Sequence, residues 1–404
     1  TSGAITVTLP ASPDAGAVIA VKDYANTFDT NNVTLARNGS NIGGQAIDAT
    51  LSTEGLAVTL VFIDSTQGWL VTDSGLQSEA PSPTFITATG GTITTVGDFK
   101  VHAFTGPGTF TVCSVGNPAG SDTVEAMIVA GGGGAGFDRA GGAGAGGMVL
   151  TPTCGVSVTA TGFPISVGAG GAGIPNSLGP GPHTGANGTN STGFSLTSIG
   201  GGGTSRGGNS QPTAQVTGEP GGSAGGGGVG CGCVGPGGTA TQPTQPGNSG
   251  TFGKGFAGGN GINPGAQSGG GGGAGAVGVN AVNGSSSGAG GPGFDVSPRF
   301  GTAPQPFYIA NGPLQGVSVG GIFAGGGGGG ASSGASAPAT SGGNGGPGGG
   351  GHGGDSPSNP GDRDGHPGTT NTGGGGGGSS NISPSPDAGG NGGSGIVLIR
   401  YKFQ

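Results

Sequence analysis

Glycine written in blocks is the feature that most limits what this chain can become. Between Gly131 and Gly395 the sequence returns repeatedly to uninterrupted runs, among them 131–134, 269–273, 325–330 and 373–378. In all, 110 of 404 residues are glycine, roughly four times ordinary usage. Only 30% of residues are apolar and 5% aromatic. Too few large side chains exist to fill an interior of this length at native density. Charged residues are 7%, the opposite of charge-driven disorder. Collagen needs glycine at every third position and far more proline than the 29 present.

Ordering backbone costs about 1–2 kcal/mol per residue, and glycine sits at the costly end. A glycine block therefore orders only if its main chain finds partners. In the extended left-handed threefold conformation the rise is about 3.1 Å per residue, and no hydrogen bond forms within the helix. Every N–H and C=O then points outward. Without Cβ atoms such rods can approach closely, bond laterally, and satisfy their buried amides and carbonyls. The blocks thus predict a body whose interior is main chain, with connections at the rod ends, where recognition loops are easiest to place. A flexible Gly/Ser linker is the competing reading. Against it, the blocks are glycine or Gly/Ala rather than Gly/Ser, their interruptions are rich in Pro and Asn, and apolar strand-like segments bracket the region.

Those flanking segments organise the rest. Residues 1–75 are poor in glycine and read as a small all-β sandwich or barrel. Ile5, Val7 and Leu9 alternate with threonines, Asn38-Gly39 is a turn signal, and 58–63 and 69–71 are further strands. A polar linker, 76–84, follows. Strand patterning resumes over 85–130 as a lead-in, and the glycine-rich region 131–404 is closed by a strand at 395–403. The expected class is all-β at the N-terminus followed by a bundle of polyglycine II-type helices, with essentially no α-helix. At about 75 residues the first module is near the size where a lone core is marginal, so oligomerisation would help it.

Net charge is −8 with 10 Lys and Arg, too few cations for a nucleic-acid surface. The longest apolar runs fall far below the ~20 residues of a membrane span. The chain opens at Thr1 without a basic and apolar leader, so a soluble protein with no signal peptide is expected. Cys113 and Cys154 flank the first glycine block on apolar segments and are a possible disulfide, with buried free thiols as the alternative. Cys231 and Cys233 are too close for easy bridging and lack zinc spacing.

Several segments carry a resemblance. Residues 124–136 (VEAMIVAGGGGAG), 146–149 (GGMV), 165–173 (ISVGAGGAG) and 392–401 (GGSGIVLIRY) resemble the glycine-rich domain of bacteriophage tail fibres and adhesins. Residues 104–112 (FTGPGTFTV) are similar to the strand lead-in before that domain. Residues 5–13 (ITVTLPASP), 21–24 (VKDY) and 68–71 (GWLV) resemble a β module of phage fibre proteins. The resemblance implies a structural protein of the virion surface that stacks polyglycine-type helices and reads the host with its end loops. It implies a homo-oligomer, a trimer being favoured, bound to other virion proteins and to a host cell-surface polysaccharide or protein. Tail, capsid and other appendage positions stay open. A decorating fibre without a receptor is the alternative, and a glycine-rich ice-binding protein a third.

Within that frame the receptor-binding candidates are the interruptions. Residues 294–315 concentrate Phe294, Arg299, Phe300, Phe307 and Tyr308 in a chain with few aromatics. Aromatic faces and guanidinium suit sugar rings and their carboxylates; the bland alternative is that Phe307 and Tyr308 anchor the loop. Asp355, Asp362, Arg363 and Asp364 form the most charged stretch. Its fragments 350–355 (GGHGGD) and 362–365 (DRDG) resemble pieces of calcium loops, making Asp355, Asp362 and Asp364 a candidate Ca²⁺ set beside a solvated acidic loop. Phe137 and Arg139 interrupt the first block as a candidate exposed tip. No nucleophile–base pairing, phosphate loop or nucleotide fingerprint emerges, so neither an enzyme nor a cofactor is expected.

Overall fold

The computed structural model describes residues 3–76, 83–175, 183–207, 216–230, 234–242, 253–263, 267–283, 286–309, 320–331, 341–355, 363–380 and 387–404. The chain forms two compact units, Thr1–Pro83 and Thr84–Gln404. The boundary falls within the polar stretch that composition marks as a linker. No helix among the described residues is long and apolar enough to cross a membrane.

The first unit carries β1 (Ile5–Thr8), β2 (Val18–Lys22), β3 (Val33–Ala36), β4 (Ala49–Leu51), β5 (Leu56–Asp64) and β6 (Gly68–Leu76). They form two three-stranded sheets, β1-β3-β4 and β2-β5-β6. Alternation sends Val33 and Leu35 of β3, and Val58, Leu60 and Phe62 of β5, into a core around the fully buried Trp69. Asn38 and Gly39 take positive φ, 45° and 92°, at the turn the sequence signals.

The second unit begins with β7 (Thr87–Thr89), β8 (Thr92–Val96), β9 (Phe99–Phe104), β10 (Gly108–Ser114), β11 (Thr123–Val129), β12 (Met148–Leu150), β13 (Val156–Ser157) and β14 (Gly162–Ile165). Short elements follow among the glycines: β15 (Ser191–Gly193), β16 (Leu196–Ser198), β17 (Gly253–Lys254), β18 (Phe294–Asp295), the single-turn helix α1 (Ser297–Phe300) and β19 (Ile322–Phe323). β20 (Ile396–Lys402) ends the chain and inserts between β11 and β9, antiparallel to both. The sheet runs β17-β12-β11-β20-β9-β8. The segments bracketing the glycines in sequence therefore pair directly in space. One face of the sheet presents Val101, Met127, Val129 and Leu398 to one core; the other presents Phe104, Ile128, Val397 and Ile399 to a second. Burial on both faces explains the unbroken apolar run Ile396 to Ile399. The register pair Glu125–Arg400 is a salt bridge at 2.7 Å.

His102 lies in the second core. Its Nδ1 sits 2.7 Å from the Gly90 carbonyl and its Nε2 3.3 Å from the Tyr401 hydroxyl, which accepts the Ala88 amide proton. The Gly90 carbonyl can only accept, so the ring's Nδ1 carries a proton and donates to it. Burial pushes its pKa below 6.5, the Gly90 bond opposes, and Lys100 adds to the fall. The unfolded chain then takes up the proton first. His102's contribution is complete above about pH 6.5 and is lost as pH falls toward the lower folded value. The melting temperature of this unit is expected to be flat above pH 7 and to drop below pH 6.5. In His102→Gln that step disappears, as calorimetry across pH 5–8 would read.

Past β11 the geometry changes. The Gly131 amide donates to Thr189, Gly132 to Gly393, Gly133 to Gly144, Gly134 to Ala186 and Ala135 to Gly390. The partner segment recurs at every third residue, whereas a strand alternates between two sides. The rod 140–147, wholly buried, shows the full pattern. Gly142 and Ala145 donate to 269 and 272, Ala143 and Gly146 to 376 and 373, Gly144 and Gly147 to 202 and 199. Its carbonyls accept from 327 and 330, from 130 and 133, and from 223 and 226. It thus donates to three neighbours and accepts from three others, as a threefold helix does in hexagonal packing. The ascending numbers make rod 267–275 its one parallel neighbour; the other five run antiparallel.

Close approach is what requires glycine here. A Cβ on Gly142 would stand 2.0 Å from the Gly327 carbonyl oxygen, and one on Gly271 2.0 Å from that of Ala143. Where space opens, alanine enters: Ala143 and Ala145 are fully buried. Outer rods lack a full set of neighbours, and asparagine side chains take their place. Asn187 and Asn190 accept from the amides of Gly203 and Gly200, Asn260 from Gly237, Asn280 from Asn260 and Asn391 from Gly173. A lateral amide bond nets only about 0.5–1.5 kcal/mol, no more than the cost of ordering a residue. The strand cores at one end are therefore integral to the body's stability.

Candidate functional site: the loop end of the glycine body

The rods run alternately away from the sheet and back, which gives the body two unlike ends. At the sheet end, β11 leads into rod 131–136, β12 leaves rod 140–147, and β20 leaves rod 387–395. Following the lateral bonds outward, Ala140 meets Gly330, Ala331 meets Gly354, Gly354 meets Gly378, and Ala135 meets Ile174. At this far end the chain leaves and re-enters the body at 175/183, 207/216, 230/234, 263/267, 283/286, 331/341, 355/363 and 380/387, and the residues between lie outside those described. Asp362 and the pair Cys231 and Cys233 fall among them.

One connection at this end is described throughout, Gly136 to Ala140, and hydroxyls hold it. Thr204 Oγ1 accepts the Gly136 amide and donates to the Gly141 carbonyl; Ser379 Oγ accepts the Asp138 amide; Ser268 Oγ donates to the Arg139 carbonyl. Asp138 and Arg139 adopt left-handed φ, 62° and 63°. Phe137 is buried under the Arg206 guanidinium, 4.8 Å from its ring, while Arg206 reaches Asp138 at 3.5 Å. The expectation of an exposed tip at Phe137 and Arg139 is therefore corrected: both are buried, because the turn folds inward onto neighbouring rods.

The acidic residues at this end also join rods. Asp355 Oδ1 accepts the Gly342 amide and Asp364 Oδ1 the Ala388 amide, each at the start of the adjoining rod. Ser380 bonds to the Arg363 carbonyl through both N–H and Oγ. Burial raises the pKa of Asp387, and Asp364 adds to the rise. Among the described residues no three His, Cys, Asp or Glu side chains stand close enough to hold a metal.

A family model for a glycine-rich domain matches residues 104–402. The chain belongs to the glycine-rich domain family. The match starts on the last residue of β9 and stops on the last of β20, so the glycine-rich domain includes the sheet strands that close it. No curated protein matches the sequence.

The aromatic interruption lies at the sheet end of the glycine-rich domain, and here the sequence reading needs its largest correction. Phe300, Phe307 and Tyr308 are 1%, 7% and 8% exposed. With Val296 and Phe323 they cover one face of the sheet, which would otherwise leave Val101, Met127 and Leu398 in water. Tyr308 donates to the Gly301 carbonyl at 2.9 Å, and burial raises its pKa. Arg299 bonds to the Thr151 carbonyl and pairs with Glu125 at 3.8 Å. Phe294 lies beneath Lys254 Nζ, 4.0 Å from its ring centre. Phe300, Phe307 and Tyr308 thus form a lid on the core, as the anchoring alternative for Phe307 and Tyr308 has it, and are not free to meet a receptor, while Phe294 and Arg299 stay partly exposed at its edge. Residues 310–319, which include the end of this candidate loop, lie outside those described.

The disulfide is corrected as well. Cys113 and Cys154 are free and exposed: alternation along β10 turns Phe110 and Val112 inward and Cys113 outward. Sequence reasoning missed the asparagine and hydroxyl caps. A signal was present, since Asn187 and Asn190 stand three residues apart, the period of the rods.

Proposed function

We propose that this chain is a structural appendage protein of a bacteriophage particle, whose glycine-rich domain displays host-binding loops at the end away from its sheet. The observation that carries this reading is that the chain leaves and re-enters a body held by main-chain bonds at eight places on one end, beside the turn Gly136 to Ala140. Sequence can vary there without touching the packing, as a receptor-reading surface requires. With the aromatic lid assigned to the core, the contacts fall to the loop end, where Asp355, Arg363 and Asp364 stand beside connections 332–340 and 356–362. The partner is a host cell-surface polysaccharide or protein. The first module suits a homo-oligomeric shaft, with three copies favoured, joined to other virion proteins.

Burial of the aromatic cluster favours the second reading, a decorating fibre without a receptor, because it removes the densest set of candidate contacts. Replacing 332–340 and 356–362 by Gly/Ser segments of equal length separates the two. Display predicts normal melting and at least a roughly tenfold loss of host-cell binding, equivalent to about 1.4 kcal/mol. Unchanged binding would leave the structural fibre.

A further inference from the structure

A pocket of about 490 Å³ opens beside the hairpin β15–β16, against β13 and β14. This size is that of a small-molecule site. None of its lining residues carries a charge. Phe163 and Phe194 form one half-buried aromatic surface, with ring centres 5.1 Å apart and planes tilted by 39°. The fully buried Phe110 backs both, at 6.5 and 6.0 Å. Ser157, Thr192 and Ser195 also line the pocket.

The hairpin tip adds an independent observation. β15 and β16 pair Gly193 with Leu196, leaving Phe194 and Ser195 as a two-residue turn. Both take left-handed φ, 53° and 60°. This geometry favours Asn-Gly, and a bulky aromatic in it is a true outlier. Strain of this kind persists where the surroundings impose it and concentrates at ligand sites. Here it holds an aromatic side chain at the pocket wall where the turn alone would select a small polar residue.

We propose that this pocket binds a neutral pyranose unit of a saccharide. The apolar C–H face of the sugar lies on Phe163 and Phe194, and its hydroxyls exchange hydrogen bonds with the Ser and Thr side chains. An uncharged wall favours neutral sugars over uronic or sialic acids, which would lose hydration without gaining a cation. Ser157, Thr192 and Ser195 favour a sugar over an aliphatic chain, which offers a hydroxyl no partner. The site lies on the sheet side of the domain and does not rest on the display reading.

Saturation-transfer NMR on the full chain tests it, with methyl glucoside, methyl galactoside and N-acetylglucosamine as probes, glucuronate as charged control and hexanol as apolar control. The expected result is saturation of at least one neutral pyranoside, concentrated on the C–H protons of one ring face, and weaker transfer to both controls. Ser157→Trp, which fills the pocket from an exposed position, lowers affinity roughly tenfold or more. Phe194→Asn with Ser195→Gly does the same; the favoured turn residues offset part of the packing that Phe194 gives up against the core, and affinity is scored per folded molecule. No saturation of any neutral pyranoside, affinity unchanged in both variants, or preferential saturation of hexanol or glucuronate would overturn the proposal.

Discussion

Gly142→Ala is expected to destabilise the second unit by about 3 kcal/mol or more, the upper range for an added methyl with no room to relax. Its Cβ would stand 2.0 Å from the Gly327 oxygen and 2.4 Å from the carbonyl carbon. Both are main-chain atoms of a rod bonded to its own neighbours, so no side chain can swing away. The melting temperature should fall by roughly 5–10 °C. Gly106→Ala is the matched control: nothing lies within 4 Å of its Cβ, and the change should stay within about 0.5 kcal/mol. Position decides the outcome, because Ala143, the next residue on the same rod, is fully buried and accommodated. Equal melting of the two variants would mean that the rods do not touch.

Phe300→Ala is expected to cost about 3–5 kcal/mol, the range for emptying a buried phenylalanine site. The side chain is 1% exposed, lies in the core with Tyr308 and Phe323, and faces the Arg400 guanidinium 5.8 Å from its ring. Thermal melting checks the stability, and under the display proposal cell binding per folded molecule is unaltered. A displayed recognition loop would behave in the opposite way, with melting unchanged and binding reduced.

Much of the fold is legible in the residues. Threonine alternation marks β1, the apolar run at Ile396 marks β20, and the pairing of β20 with β11 answers to the strands that bracket the glycines. The threefold rods follow from physical necessity, since a glycine block without lateral partners has no reason to order. The candidate site was less legible. An aromatic cluster between glycine blocks looks the same in sequence whether it faces solvent or covers a sheet, and the difference lies in a long-range contact between 296–308 and 396–398. Phe137 misled for the same reason: Arg206, which covers it, stands far along the chain. Strand β4 went unread because three residues, Ala49 to Leu51, are too short to show a period.

Amide hydrogen exchange resolved along the glycine rods tests the central claim most directly. If main chain is the packing material, amides of 142–147, bonded in turn to three strips of chain, are protected to the same degree as those of β11 and β20 and open with them as one cooperative unit. Exchange of the 142–147 amides at the rate of an unstructured glycine peptide, with β11 and β20 still protected, would contradict the account.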